Sequence, residues 1–158
     1  MGSGIAQRLI DNGYQVFVYD RNIAKADAIA ARGGVVAKNI LELAGSADVI
    51  LSCLTNDEAV QSVFAGPAGM FAEARPGTIV LEMSTISPES SRELHRLGAK
   101  RGIEVLDVAI SAALLPRNKA SLRYWPAATK TCSLPLNQYS RRLRDSIFFW
   151  AVLAPEQR

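Results

Sequence analysis

The chain has little of several residue types, and each shortage excludes a class of protein. It has one histidine, His95, which excludes a metal cage or a mechanism built on several histidines. Its two cysteines, Cys53 and Cys132, are too few for a disulfide framework and are typical of a reducing compartment. No apolar run reaches the roughly 18 residues of a membrane span, and no basic-then-apolar leader opens the sequence. These absences predict a cytoplasmic protein without a metal site or a membrane segment.

The composition of the chain changes abruptly near position 111. All 11 glycines lie before this position, where 10 Lys and Arg are set against 13 Asp and Glu. The rest of the chain carries 8 basic and 2 acidic side chains, together with both tryptophans and 4 of the 7 prolines. So sharp a break marks a boundary, and it predicts two segments, 1–111 and 112–158.

The first segment alternates strand patterns with helix patterns. Its β-branched or apolar runs have the length of strands, and they occupy residues 14–20, 35–36, 48–54, 78–83 and 103–108. The runs between them have apolar residues at helical spacing, and three begin at good caps: Asn22, Asn56 and Ser87. This alternation predicts an α/β fold with a parallel sheet and helices on both faces.

Ligands of such sheets bind beyond the carboxyl ends of the strands. An acid at the end of the second strand is placed to grip the ribose 2′-hydroxyl of NAD, whereas an arginine there suits the 2′-phosphate of NADP. Asp20 is followed by Arg21, which leaves both cofactors open and slightly favours NAD. The alternative is that Asp20, Arg21 and Asn22 form only a solvated turn and helix cap.

Four stretches of the first segment resemble the N-terminal domain of the β-hydroxyacid dehydrogenases, the family of 3-hydroxyisobutyrate dehydrogenase and 6-phosphogluconate dehydrogenase. They read MGSGIAQRLIDNGYQVFVYDRN, ADVILSCLTND, PGTIVLEMSTISPESSREL and IEVLDVAIS. The resemblance implies a Rossmann-like domain that binds NAD or NADP. It also implies hydride transfer between the cofactor and a small 3-hydroxy acid or the matching semialdehyde.

The resemblance also assigns roles to individual residues. Met1 and Gly2 fall at the end of the family's GxGxxG fingerprint, against the pyrophosphate. Further cofactor contacts are implied for Asp20, Arg21, Asn22, Leu54, Thr55, Ser84 and Thr85, and a substrate carboxylate contact for Ser111. The family usually has Leu-Pro where this chain has Leu54-Thr55. The alternative for Ser84 and Thr85 is a polar turn that leads to the Ser87 cap.

Two departures from the family pattern carry their own expectations. The sequence opens at Met1-Gly2, so we expect the first strand and the first two glycines of the fingerprint to be missing. In the strand order 3-2-1-4-5-6 that strand lies in the middle of the sheet.

The second departure lies beyond Ser111. Residues 122–133, read one base out of frame with permitted codons, give the family-like string LTVLAGGDKDLF. We therefore expect 112–158 to be a basic tail of out-of-frame origin that is poorly ordered.

These departures limit the expected activity. Family enzymes carry a catalytic lysine after the glycine-rich string, and Lys119 and Lys130 lie in the unmatched tail, so no catalytic residue is predicted. The expected function is an NAD(P)-binding domain of an oxidoreductase that lacks activity, and the alternative is a weak, non-catalytic dinucleotide-binding module. A nucleic-acid arm is disfavoured because the basic residues of the tail are scattered. Cys53 is expected to pack rather than react, His95 receives no role, and the oligomeric state stays open.

Overall fold

The structure is a computed structural model that describes residues 2–108 and the backbone of 148–149. The residue-level predictions for Met1, Ser111, Lys119 and Lys130, and the boundary at 111, lie outside the described residues. In chain order the elements are α1 (Gly2–Asp11), β1 (Phe17–Val18), α2 (Ile23–Ala30), β2 (Val35–Val36), α3 (Ile40–Ser46), β3 (Val49–Ser52), α4 (Asp57–Ala65), a 3-10 turn (Met70–Ala72), β4 (Ile79–Glu82), α5 (Pro88–Ala99), β5 (Glu104–Asp107) and β6 (Phe148–Phe149). None of the helices in these ranges is long and apolar enough to cross a membrane.

The predicted caps start the helices that follow β1, β3 and β4. The side-chain oxygens of Asn22, Asn56 and Ser87 accept hydrogen bonds from backbone amides in the first turns of α2, α4 and α5. Each bond satisfies one amide that the helix itself leaves without a partner. Every strand pairing within the described residues is parallel. The prediction of an α/β fold with a parallel sheet is therefore confirmed.

The strands form one sheet of four and one pair. β3 pairs with β4, and β4 with β5, while β1 and β2 pair with each other. On its other edge β3 pairs with β6, whose Cα atoms also come within 8 Å of those of β1. The first strand of the family's sheet was expected to be missing from the position between β1 and β3. In the structure β6 occupies this position. In the described part of the chain no strand precedes β1.

The core lies on both faces of the sheet. Along β3, Ile50 packs into one cluster with buried residues of α3, α4 and α5, whereas Val49 and Leu51 pack into the other with residues of α1 and α2. This alternation follows from the period of two along a strand. All four residues of β3 are buried, as the continuous apolar run predicts for a strand covered on both faces. Helices therefore cover both faces, and the carboxyl edge of the sheet is left between them.

The contact of α5 with β5 depends on Gly98. A Cβ added at this buried position would lie 2.7 Å from Val105 Cγ2 and 3.1 Å from the carbonyl oxygen of Ile103. The first distance is shorter than real Cβ contacts and the second is tight, so α5 packs at this separation because residue 98 has no side chain. We expect Gly98→Ala to lower the free energy of unfolding by about 1–2 kcal/mol, since overpacking outweighs the gain in helix propensity.

Urea unfolding of the two alanine variants of helical glycines checks this expectation. Gly45 in α3 is the control, because a Cβ there would meet nothing closer than the carbonyl oxygen of Glu73 at 3.9 Å. We expect Gly45→Ala to raise stability by about 0.5–1 kcal/mol. Equal midpoints for the two variants would contradict the packing argument.

Candidate functional site

The carboxyl ends of β3 and β4 meet at one edge of the sheet, where two predicted site residues are joined. The backbone amide of Leu54 donates a hydrogen bond to Ser84 Oγ at 2.6 Å. Both residues are buried, whereas Thr55 and Thr85, which follow them, are exposed. The bond fixes the spacing of the two strand ends, and it leaves two hydroxyl-bearing residues exposed beside the junction.

A second hydrogen bond joins the same two connections further along. The amide of Ser87, the cap of α5, donates to Asp57 Oδ1 in the first turn of α4 at 2.9 Å. The β3–α4 and β4–α5 connections are therefore bonded to each other at two points. Two connections bonded in this way are held in place by the sheet, and a binding site needs such a fixed geometry.

Glu82, the last residue of β4, lies behind this junction, and the sequence analysis did not single it out. Its side chain is fully buried, with Oε1 accepting from the Ser84 amide at 2.7 Å and Oε2 accepting from the Ser52 hydroxyl. Ser52 and Asp107 are the register partners of Glu82 on β3 and β5. An acid inside the otherwise apolar run TIVLEM was the signal that could have identified it.

Burial sets the titration behaviour of two groups at this edge. Desolvation raises the pKa of Glu82, the hydrogen bonds from Ser52 and Ser84 partly oppose the rise, and the charge of Asp107 adds to it. Burial also raises the pKa of the half-buried Cys53 thiol, and Glu82 adds to that rise. A thiol with a raised pKa is a poor nucleophile, and the packing role of Cys53 stays a prediction.

The end of β1 holds the residues that were predicted to contact the adenosine half of a dinucleotide. Asp20 is buried, and its Oδ1 accepts from the amide of Asn22 at 2.8 Å, while Arg21 is exposed. Asn22 in turn caps α2 through the amide of Ala24. The turn and cap of the alternative interpretation are therefore present, but the Asp20 carboxyl is buried rather than solvated.

The N-terminus of α1 differs from those of α3, α4 and α5. Its first turn contains no acidic side chain, and Gly2 is buried. The first turns of α3, α4 and α5 carry acids, namely Glu42, Asp57, Glu58 and Glu89, whereas that of α2 carries none, as in α1. An acid-free first turn suits an anion, because the amides and the helix dipole at that end favour negative charge.

Two further predictions concern His95 and metal binding. His95 lies in the middle of α5 and is partly exposed. Within residues 2–108, no three His, Cys, Asp or Glu side chains are grouped so that they could hold a metal ion.

Comparison with known proteins identifies the family. Residues 1–133 match the model of the NAD-binding domain of 6-phosphogluconate dehydrogenase. The chain is 34% identical over 111 residues to the NAD-dependent L-serine dehydrogenase of Pseudomonas aeruginosa, a match that covers 70% of this chain and 37% of the relative. The chain belongs to this family of NAD-binding domains.

Solved structures support the same assignment. The 3-hydroxyisobutyrate dehydrogenase of Mycobacterium tuberculosis, determined with L-serine, matches with a TM-score of 0.73 at 25% identity, over 98% of this chain and 52% of that one. Psf3 in complex with NADP+ and 2-OPP matches with a TM-score of 0.71 at 27% identity, over 99% and 54%. The predicted Rossmann-like class and the predicted nicotinamide dinucleotide are confirmed. The chain spans about 37% of its curated relative's length.

The raised pKa of Glu82 gives the stability a pH dependence of definite sign. Its contribution is fully present below the ordinary glutamate pKa near 4.5 and is lost as the pH rises through the raised pKa of the folded state. Each unit of elevation corresponds to about 1.4 kcal/mol above that pH. We expect Glu82→Gln, which stays neutral, to gain stability relative to the wild type as the pH rises.

Urea unfolding of both proteins between pH 4 and pH 8 measures this difference directly. Glu73→Gln is the matched control, because Glu73 is exposed and the same substitution there removes no buried charge. If the difference between Glu82→Gln and the wild type stays constant over this range, the burial of an ionisable carboxyl does not affect stability.

Proposed function

We propose that this chain binds NAD or NADP along the carboxyl edge of its sheet. We further propose that it supplies the dinucleotide site for hydride transfer between the cofactor and a 3-hydroxy acid or its semialdehyde. The observation that carries the proposal is the hydrogen bond from the Leu54 amide to Ser84 Oγ. This bond joins two strand ends at the edge where ligands of doubly wound sheets bind. Thr55 and Thr85, which follow the bonded residues, are exposed at this edge.

The polar groups at this edge fit the chemistry of a dinucleotide. The Asp20 carboxylate, fixed by the Asn22 amide, would accept a hydrogen bond from a ribose hydroxyl, and the exposed Arg21 would pair with a 2′-phosphate. The amides at the start of α1 would face the pyrophosphate, where Gly2 lets the backbone approach closely. Thr55 and Thr85 would bind the nicotinamide half by their hydroxyls.

The bound nicotinamide supplies the hydride acceptor or donor, and this edge of the sheet orients it. Leu54 and Ser84 hold the ends of β3 and β4 together, so that Thr55 and Thr85 keep one spacing. Met1 and Ser111 lie outside the described residues. We propose them as the remaining pyrophosphate contact and as the group that binds the substrate carboxylate.

A second candidate is dinucleotide binding without turnover. One observation favours it: within the described residues, the connections that follow β3 and β4 contain no lysine. Lys119 and Lys130 lie outside the described residues. Without a proton-transferring group near the substrate hydroxyl, acid–base help of roughly a hundredfold to ten-thousandfold is lost.

Turnover assays separate the two candidates. We expect the purified chain to enhance NADH fluorescence saturably, and to show no NAD+- or NADP+-dependent oxidation of 3-hydroxyisobutyrate or L-serine. Measurable oxidation would contradict the non-catalytic candidate. A failure to bind either reduced dinucleotide would contradict both.

The choice between NAD and NADP is tested at Asp20 and Arg21. Asp20→Asn keeps an oxygen for the Asn22 amide but removes the charge, so we expect NADH to bind roughly tenfold more weakly and NADPH to be affected less. Arg21→Ala is expected to weaken NADPH and leave NADH nearly unchanged. Fluorescence titrations with both dinucleotides provide the measurement.

Asp27→Asn is the control for these titrations, because Asp27 is an exposed acid on α2, the helix that follows this turn. It is expected to bind both dinucleotides as the wild type does. Parallel losses for NADH and NADPH in both site variants would show that Asp20 and Arg21 only shape the turn.

A further inference from the structure

A buried carboxyl behind the candidate site is not explained by the contacts proposed for the dinucleotide. Glu82 is 1% exposed, so its carboxyl lies below the surface along which the dinucleotide is proposed to bind. Among the described residues no lysine or arginine forms an ion pair with it. Burying a carboxyl disfavours its charged form unless hydrogen bonds compensate, so its hydrogen bonds are the place to look for a role.

The hydrogen bonds of Glu82 lead directly to the junction of the two strand ends. Oε1 accepts from the amide of Ser84, whose hydroxyl accepts from the amide of Leu54. Oε2 is bonded to the hydroxyl of Ser52, two residues before Leu54. The carboxyl thus contacts both β3 and the connection after β4, and one side chain spans the junction from behind.

We propose that Glu82 is a positioning residue for the dinucleotide site, whose carboxyl sets the spacing of the Leu54–Thr55 and Ser84–Thr85 pairs that contact the ligand. This inference rests on the proposed function. Glu82 touches no reacting atom, and it acts through Ser52 and Ser84. Its role is to keep two exposed hydroxyl-bearing residues at one separation.

The charge of the carboxyl changes the strength of these contacts. Both oxygens accept in the structure, Oε2 from the Ser52 hydroxyl and Oε1 from the Ser84 amide, and hydrogen bonds to an ionised carboxylate are the stronger ones. Burial and the charge of Asp107, the register partner on β5, oppose ionisation. On the other packed elements, Cys53 lies on the β3 side and Asp57 of α4 is bonded to the Ser87 amide.

Glutamine has nearly the shape of a protonated glutamate, so Glu82→Gln tests the neutral form of the carboxyl. In Glu82→Gln the amide oxygen can accept from Ser84 and the amide nitrogen can donate to Ser52 Oγ, at every pH. Glu82→Leu has a similar volume but makes neither contact, and it leaves the buried Ser84 amide without an acceptor. Ser52→Ala removes one contact only, which provides a milder variant if the leucine variant does not fold.

Calorimetric titration of the full chain with NAD+ from pH 5 to pH 8.5 tests the inference, since NAD+ withstands acid. We expect wild-type affinity to rise with the pH, because both hydrogen bonds to the carboxyl strengthen when it ionises, and Glu82→Gln to bind like the low-pH wild type throughout. Glu82→Leu is expected to bind roughly tenfold more weakly than the wild type. Ser52→Ala is expected to bind more weakly than the wild type at pH 5. Glu73→Gln, an exposed control, should follow the wild type.

The possible outcomes separate this inference from the function on which it rests. Identical pH profiles for the wild type and Glu82→Gln, or undiminished affinity in both Glu82→Leu and Ser52→Ala, would overturn the positioning role and leave dinucleotide binding intact. No saturable binding by the wild type at any pH would overturn the proposed function, and this inference with it. A merely structural Glu82 would shift stability without changing the pH profile of binding.

Discussion

The backbone of β3 must find partners along both of its edges, and this requirement organises the rest of the structure. The strand is buried on both faces, so water cannot satisfy its amides and carbonyls. Each group left unpaired in such a place costs about 1–3 kcal/mol, which is large against a net stability of about 5–15 kcal/mol. β4 pairs with one edge and β6 with the other. Parallel pairing then aligns the carboxyl ends of the strands.

The same register places the boundary between core and site. Ile50, Val80 and Val105 form one row across β3, β4 and β5, and all three are buried in the cluster beneath α3, α4 and α5. Two residues further along each strand, on the same face, the row is Ser52, Glu82 and Asp107. The change from an apolar row of side chains to a polar row therefore occurs over two residues of each strand. The hydrogen-bonded junction lies at the edge because the core ends there.

The local features of the fold could be predicted from the sequence because local chemistry determines them. The caps at Asn22, Asn56 and Ser87 and the buried strand β3 depend on residues that are close in sequence. The strand predicted over 14–20 is regular only at Phe17–Val18, because regular pairing needs a partner, and its one described ladder is with the two-residue β2. The length of a strand is thus decided by its neighbour rather than by its own β propensity.

The candidate site was predictable in part, for a similar reason. Positions at strand ends follow from the topology, so Asp20, Leu54, Thr55, Ser84 and Thr85 could be named in advance. Glu82 could not be assigned, because its meaning depends on Ser52, which is thirty residues away in the sequence and directly opposite in the ladder. An acid in an apolar run signals a buried contact, but its partner is defined only by register.

In a doubly wound dinucleotide-binding sheet, one strand pairs with its neighbours through its main chain and also leads into the glycine-rich turn that faces the pyrophosphate. In this structure β6 pairs with β3 at Ile50 and Leu51. Main-chain pairing does not depend on side chains, so an apolar segment with strand geometry can occupy the place beside β3. Approach to a pyrophosphate does depend on sequence, because it needs a turn without side chains in the way. Among the described residues, Gly2 is buried at the start of α1, where the absence of a side chain allows the close approach that the proposed pyrophosphate contact needs.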